Sequence, residues 1–269
     1  GAGGGGAGGR ASGGLSGGTS EGGAGLGTKD PGWAPLEQAK IRPGVMIYAE
    51  ARDCPTNFVF THPENTSVFI GTTAYCVREM HVGSVASVGT NDTIGVLVYS
   101  SFITMDEDQE TDSNARNYND FAIFRIDDQD RKWVNPAMLP VGGPVGSAEF
   151  SSLSPGSRVR SFANLNDGAP DITHLREGII AATAGEWAYL VYGAPSIPGQ
   201  MGSGVTTPEG KAVGVVVSLG VNPNPGANAV ARLDTLMSYA HSHAKLNMRL
   251  MGWDLVGSTP LSSTASSQS

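Results

Sequence analysis

The stretch Asn119-Asp-Phe-Ala-Ile-Phe-Arg-Ile-Asp127 sets the pattern from which the fold of this chain can be predicted. Its centre, Ala122 to Ile126, is a short run of β-branched and aromatic residues between polar ones, which is typical of a β-strand. Similar runs, with Gly, Pro, Asn or Asp between them, are Val45 to Ala49, Asn57 to Phe60, Ser67 to Gly71, Thr93 to Tyr99, Gly178 to Ala182, Trp187 to Tyr192 and Ala212 to Ser218. Many short strands at this spacing predict an antiparallel β-barrel or sandwich.

The pattern becomes helical near the end of the chain. Apolar residues recur at helical spacing between Ala231 and Leu250. They are Leu233, Leu236, Met237, Ala240, Ala244 and Met248. We therefore expect an all-β body closed by one C-terminal helix. His241 and His243 stand two positions apart, so they point to different faces of that helix and cannot share a metal; we assign them structural or surface roles.

Composition divides the chain into three parts. Residues 1–27 are mostly glycine and offer too few apolar side chains to offset the entropy of ordering them, so we expect a flexible leader. Residues 257–269 are rich in Ser and Thr and predict a flexible tail. Residues 28–256 remain for one globular domain, within the size range of single β-barrel or sandwich domains.

Charge and hydropathy disfavour several classes of partner. The chain has 17 basic and 25 acidic residues, for a net charge of −8, and no Lys/Arg cluster that would bind phosphates. Nucleic acid is therefore not an expected partner. No apolar run approaches the roughly 18 residues that span a bilayer, and no residue pattern indicates a cofactor. The two cysteines, Cys54 and Cys76, form either a disulfide or two free thiols, and their spacing alone leaves both open.

Three segments, in order, carry a family resemblance. They are Cys54-Pro-Thr-Asn-Phe-Val-Phe60 with Gly71-Thr-Thr-Ala-Tyr-Cys76, then Asn119 to Asp127, then Ile197-Pro-Gly-Gln-Met-Gly-Ser-Gly204. Together they resemble the three catalytic blocks of trypsin-like serine proteases, most closely the actinobacterial secreted members. The resemblance implies two antiparallel six-stranded β-barrels with a C-terminal α-helix, a Cys54–Cys76 disulfide and a secreted, extracellular protein.

The same resemblance implies that the catalytic triad is degenerate. Tyr75 stands where the family has its histidine base, Asp120 keeps the orienting aspartate, and Met201 replaces the nucleophilic serine. A thioether has no proton to lose, and a phenol that titrates near pH 10 is a poor base at neutral pH. We expect no enzymatic activity. We expect Asp120 to become a buried acid that accepts a hydrogen bond from the Tyr75 hydroxyl.

The oxyanion loop is altered as well. In the family its donors are backbone N–H groups, which here would belong to Gly199 and Met201. Gln200 replaces an aspartate whose ion pair fixes that turn. Ser203 aligns with an ordinary structural serine of the family. A hydrolase that pairs Ser203 with a displaced histidine, such as His81 or His62, is the alternative function.

A binding function follows from these losses. We expect an inactive secreted domain that holds an extended segment of a protein partner in the former substrate groove, for which the candidate residues are Tyr75, Met201, Ser218 and Leu219. A small-molecule substrate is disfavoured. Degenerate trypsin-like domains of actinobacteria occur in secreted assemblies, including umbrella-shaped toxin particles, and the resemblance permits that role.

Two further interpretations of the sequence, a calcium site and a carbohydrate-binding or structural protein, are less favoured. The acidic segment 106–112 offers oxygen atoms that bind calcium, but it lacks the glycine and the spaced carboxylates of a dedicated site, so we expect a solvated loop and no metal. A carbohydrate-binding or structural exoprotein would present a row of exposed aromatic residues. The four tryptophans are instead scattered, at Trp33, Trp133, Trp187 and Trp253.

Overall fold

Two β-sheets make up most of the molecule. The computed structural model describes residues 32–163, 175–193, 200–218 and 226–257. The predicted leader, residues 1–27, and the predicted tail beyond Gly257 lie outside the described residues. No helix in the described part of the chain has the length and apolar character needed to cross a membrane.

The elements follow one another in an order that is mostly β. The strands are β1 Met46–Tyr48, β2 Asp53–Pro55, β3 Val59–Thr61, β4 Val68–Thr72, β5 Val85–Val88, β6 Thr90–Ser100, β7 Ala122–Ile126, β8 Gly146–Ser147, β9 Arg158–Phe162, β10 Leu175–Ala184, β11 Ala188–Gly193, β12 Gly204–Thr206, β13 Lys211–Ser218, β14 Ala227–Arg232 and β15 Arg249–Leu250. The α-helices are α1 Ser101–Glu107, α2 Ser113–Tyr118 and α3 Leu233–Ala244, and short 3-10 helices cover Leu36–Gln38, Tyr75–Val77, Asp128–Trp133 and Phe150–Ser152.

The N-terminal sheet has eight strands in the order β15-β3-β4-β7-β6-β5-β1-β2. Two of its inner strands, β4 and β7, are antiparallel, with Ile70 opposite Phe124, and both side chains are fully buried. Each such side chain contributes about 1.5–3 kcal/mol when it leaves water. Within the described residues the two edge strands do not pair with each other, so this sheet is a half-barrel.

The C-terminal sheet closes into a six-stranded barrel. Strands β9, β10, β11, β14 and β13 pair in succession, and β12 joins β13 back to β9. Valines at alternate positions fill the interior, among them Val159, Val191, Val205 and Val230. This arrangement of one barrel and one half-barrel with a C-terminal helix confirms the predicted trypsin-like fold class.

Helix α3 packs where the two sheets meet. Its buried residues Leu233, Leu236 and Ala240 join Phe58 and Phe60 of the N-terminal sheet in one apolar cluster. The helix extends less far than the predicted range from Ala231 to Leu250.

The helix ends early because Lys245 adopts a left-handed conformation (φ 57°), and the N–H of Leu246 donates to the carbonyl of Ala240. The next residues extend so that β15 pairs with β3, and Met248 therefore lies outside the helix.

Candidate functional site

A disulfide holds the two parts of the first predicted catalytic block together. Cys54 in β2 and Cys76 in the 3-10 helix Tyr75–Val77 are bonded, with their Cα atoms 6.1 Å apart. This confirms the pairing implied by the resemblance. Because Tyr75 directly precedes Cys76, the disulfide also fixes the position that would hold the base.

Asp120 lies beside that position, just before β7. It is buried, and its Oδ1 accepts a hydrogen bond of 2.8 Å from the backbone N–H of Tyr75. Burial raises the pKa of Asp120 to about 7, against the lowering effect of the Tyr75 and Ala74 N–H groups. The expected bond from the Tyr75 hydroxyl is therefore wrong: the backbone of Tyr75, and not its side chain, satisfies the carboxylate.

The Tyr75 ring instead faces the surface, where 38% of the residue is exposed. The Arg52 guanidinium lies 4.5 Å from the ring centroid and that of Arg78 lies 5.8 Å from it. Arg52 also donates to Glu79 at 2.5 Å, and this hydrogen bond, followed by one with Tyr75, raises the pKa of Arg52 above its ordinary value. The residue at the base position thus belongs to a cationic and aromatic surface cluster.

The loop that would carry the nucleophile contains Gln200, Met201, Gly202 and Ser203. Gln200 is buried and Met201 is half-buried. Gly199, the other predicted oxyanion donor, lies outside the described residues. Met201, at the predicted nucleophile position, has a thioether side chain, which carries no proton to lose.

Ser203 is held as part of the turn. It is fully buried, and its hydroxyl donates to the Gln200 carbonyl at 2.8 Å. Its backbone N–H donates to the same carbonyl at 3.1 Å. In this arrangement the Ser203 hydroxyl is buried and is used by the turn itself.

The two histidines considered as substitute bases, His62 and His81, make local hydrogen bonds within their own loops. Nδ1 of His62 accepts from the backbone N–H of Glu64 at 3.1 Å. His81 is exposed, and its backbone closes a turn with Ser84. In the described residues, neither imidazole makes a hydrogen bond to Ser203.

The glycines of the loop allow the two sheets to approach each other. A Cβ on Gly202, whose φ is +106°, would lie 2.7 Å from the Pro55 carbonyl oxygen and 2.9 Å from Oγ1 of Thr72. A Cβ on Gly204 would lie 2.8 Å from the carbonyl oxygen of Asn57. These glycines are required by the packing of the C-terminal barrel on the N-terminal sheet, whether or not the loop catalyses a reaction.

The predicted groove runs along the end of β13. Val216 donates to the Ser203 carbonyl at 3.0 Å and accepts from the Gly202 N–H at 2.8 Å. Further along, Ser218 is half-buried and pairs with Ala229 of β14 on the other side. Within the described residues no strand covers the free side of Ser218. Leu219, the last groove candidate, lies outside the described residues.

A small cavity of about 40 Å³ adjoins this strand at one end of the barrel. The sequence did not predict it. Its wall combines valines of the barrel interior, such as Val191 and Val216, with polar residues that include Arg176, Glu177 and Asn228. The space is enough for one or two water molecules rather than a side chain.

The acidic segment 106–112 is more ordered than predicted. It joins α1 to α2, and its carboxylates already have partners: Asp106 with Arg116 at 2.6 Å, Asp108 with His243 at 2.7 Å, and Glu110 with the Tyr239 hydroxyl at 3.0 Å. The prediction of a single helix is wrong, because α1 and α2 flank this segment. Most of the segment is exposed, as predicted for a solvated loop. Among the described residues, no group of His, Cys, Asp and Glu is arranged to hold a metal ion.

The sequence alone did not identify Arg52 and Arg78 as part of the site. Arg52 lies two residues before Cys54 and Arg78 two residues after Cys76. Because each arginine is two residues from a cysteine of the disulfide, the bond brings both guanidinium groups near Tyr75. The cysteine positions could therefore have indicated these two arginines.

Solved structures of bacterial serine proteases share this architecture. Thermobifida fusca protease A is 17% identical, with a TM-score of 0.53 over 80% of this chain and 99% of that one. Nocardiopsis protease is 17% identical, with a TM-score of 0.51 over 79% of this chain and 100% of that one. A glutamic-acid-specific serine protease is also 17% identical, with a TM-score of 0.51 over 78% of this chain and 100% of that one.

These similarities define the fold as that of the chymotrypsin-like serine proteases. No protein-family model matches the chain. A search of curated proteins also finds no significant match. The function must therefore be argued from the site itself.

Proposed function

We propose that this chain is a catalytically inactive, secreted protein of protease fold that binds an extended segment of a protein partner along the former substrate groove. The observation that carries the proposal is the state of the nucleophile loop. Met201 occupies the reacting position, while Ser203, the only hydroxyl residue in the segment 200–204, is fully buried and bonded to the Gln200 carbonyl.

The chemistry of acyl transfer supports inactivity. The mechanism needs a hydroxyl or thiol at the attacking atom and a base that removes its proton. A thioether at position 201 and a phenol at position 75 supply neither at neutral pH. Loss of the nucleophile or the base in a triad enzyme costs about six orders of magnitude in rate, and loss of both costs little more because they act together.

The end of β13 supports peptide binding, because among the described residues no strand pairs with Ser218 on the side away from β14. An extended segment binds to such an edge by adding itself as a strand, through main-chain hydrogen bonds that need no catalytic residue. Met201 offers an adaptable apolar side chain, and the N–H of the next residue, Gly202, donates to Val216 of the same strand. A groove of this kind retains its use after the chemistry is lost.

A serine hydrolase with Ser203 and a displaced histidine is the second candidate. It requires Ser203 to leave its bond with the Gln200 carbonyl and to reach a base such as His81, which is exposed in a separate turn. No contact among the described residues favours this rearrangement.

Secretion and assembly are part of the proposal. The Cys54–Cys76 disulfide is the kind of bond that forms in oxidising compartments, which supports an extracellular location. A role as a subunit of a secreted multi-protein particle, such as a toxin assembly, is the form of partner binding that we propose.

A capture experiment with a groove-blocking variant tests the binding part. The chain is immobilised, incubated with culture supernatant of the organism that produces it, and the bound proteins are quantified by mass spectrometry. Met201→Arg places a long charged side chain in the groove, whereas Val256→Arg makes the same change at a residue that is 54% exposed elsewhere.

We expect the natural chain and Val256→Arg to retain similar amounts of the same partner. Met201→Arg should retain at least tenfold less of it. Equal retention by all three proteins would place binding outside the groove and contradict the proposal.

A further inference from the structure

Tyr75, Arg52 and Arg78 form a compact surface unit, which we name the Arg–Tyr–Arg cluster. The guanidinium carbons of Arg52 and Arg78 lie 4.5 and 5.8 Å from the Tyr75 ring centroid. Both distances are within the range in which a cation is attracted to the face of an aromatic ring. The cluster therefore concentrates positive charge around one partly exposed ring.

The cluster is held by covalent and polar contacts. The Cys54–Cys76 disulfide ties the segment of Arg52 to that of Tyr75, and Arg52 is further fixed by its 2.5 Å contact with Glu79. The backbone of Tyr75 is anchored on Asp120. Because the ring and one guanidinium are fixed before any ligand arrives, little side-chain entropy remains to be lost on binding.

The two guanidinium groups of the cluster differ in their ion pairs. Glu79 offsets Arg52, but Arg78 is exposed and forms no ion pair with any carboxylate of the described residues. The whole chain has a net charge of −8. The Arg78 guanidinium therefore remains available to a carboxylate, and it lies beside Tyr75, the residue at the predicted base position.

We infer that the Arg–Tyr–Arg cluster binds an acidic side chain, Asp or Glu, of the extended partner segment. This inference rests on the proposed function and adds the chemistry of the partner to it. A guanidinium presents paired N–H donors that match a carboxylate, and stacking on Tyr75 orients them. The same aromatic face can pack against the neighbouring methylene groups of the bound residue.

Synthetic peptides test the inference directly. The probes are two fluorescein-labelled octapeptides with blocked ends, one of alternating Asp and Ala and the other of alternating Asn and Ala. Binding to the full chain is followed by fluorescence anisotropy in 50 mM and 500 mM KCl. Because the protein is acidic overall, general electrostatics oppose the Asp peptide, so a preference for it must come from a local site.

We expect the Asp peptide to bind about fivefold more tightly than the Asn peptide at low salt, and the difference to shrink at high salt. Arg78→Gln should remove the preference. Arg158→Gln removes one positive charge from β9, where the side chain is 69% exposed. This control variant should keep the preference for the Asp peptide.

Three results would overturn the inference: no preference between the peptides, no binding of either peptide, or equal losses in Arg78→Gln and Arg158→Gln. If both peptides bind equally and Met201→Arg abolishes both, the groove stands and only the acidic preference fails. If the natural chain binds the Asp peptide more tightly than the Asn peptide and Met201→Arg binds both as well as the natural chain does, the inference about the cluster holds and the groove proposal fails.

Discussion

The backbone N–H of Tyr75 donates a hydrogen bond of 2.8 Å to Oδ1 of Asp120, while the Tyr75 side chain lies at the surface against Arg52. In a triad, the aspartate also orients the side chain of the base. Here the backbone part of the contact remains and the side-chain part is absent. Asp120 is thus a buried carboxyl supported by backbone N–H groups.

Asp120 should make the stability of the fold depend on pH. Its pKa is raised by burial to about 7 in the folded chain, against about 3.9 in an unfolded one. Between these values the folded state binds more protons than the unfolded state, so the free energy of unfolding falls as pH rises and levels off above about pH 7.

Asp120→Asn removes this titration and keeps an oxygen for the Tyr75 N–H. We expect the variant to be more stable than the natural chain by about 4 kcal/mol at pH 8, with the difference decreasing towards pH 4. Guanidinium denaturation at several pH values between 4 and 9 measures it. A difference that stays constant over this range would show that Asp120 does not titrate as described.

Gly202 should tolerate no side chain. A methyl group there meets the Pro55 carbonyl oxygen at 2.7 Å, in addition to the cost of a positive φ. We expect Gly202→Ala to lower the free energy of unfolding by about 3 kcal/mol. Gly156→Ala is the matched control, because its φ is +96° but nothing lies within 4 Å of the added carbon; we expect it to cost about 1 kcal/mol.

Chemical denaturation of both glycine variants separates backbone strain from contact between the sheets. Equal losses in the two variants would mean that the approach of the nucleophile loop to Pro55 and Thr72 does not require a glycine.

The disulfide should stabilise the fold and position Arg52. Cys54 and Cys76 are 22 residues apart in sequence, a loop length for which cross-linking contributes about 3 kcal/mol. We expect the double variant Cys54→Ala, Cys76→Ala to lose about this amount in denaturation, and to lose the preference for the Asp octapeptide. A variant that loses stability but retains the full preference would show that the Arg–Tyr–Arg cluster forms without the covalent link.

Residue patterns predicted the strands best where packing agrees with local preference. Ala122 to Ile126 was predicted with the bounds that β7 has, because β-branched and aromatic residues fill a strand that is buried on both faces. Strand β14 was missed because Ala227–Arg232 is rich in alanine, which has a weak strand preference. It is a strand because small side chains fit between β11 and β13.

The helix prediction was wrong at the C-terminal end of α3, where the helix stops earlier than predicted. Apolar spacing continues to Met248, but the left-handed conformation at Lys245 and the pairing of β15 with β3 depend on distant residues. Helical periodicity carries no information about such a tertiary contact.

The candidate site was readable in part. The residue types at positions 75, 200 and 201 could be taken from the sequence, and so could the loss of chemistry that they predict. The direction of the Tyr75 ring could not, because it depends on how Arg52 and Arg78 are placed around it by the disulfide.

Labelling with a fluorophosphonate probe tests the central claim most directly, because the probe reacts only with an activated serine. The natural chain, Ser203→Ala and the double variant Tyr75→His, Met201→Ser are each incubated with the probe at pH 8, and the attached mass is located by peptide mass spectrometry.

We predict no labelling of the natural chain or of Ser203→Ala, and labelling at position 201 in the double variant, where the backbone contact with Asp120 is already in place. Labelling of one serine in the natural chain, abolished by Ser203→Ala, would contradict the account and establish a hydrolase.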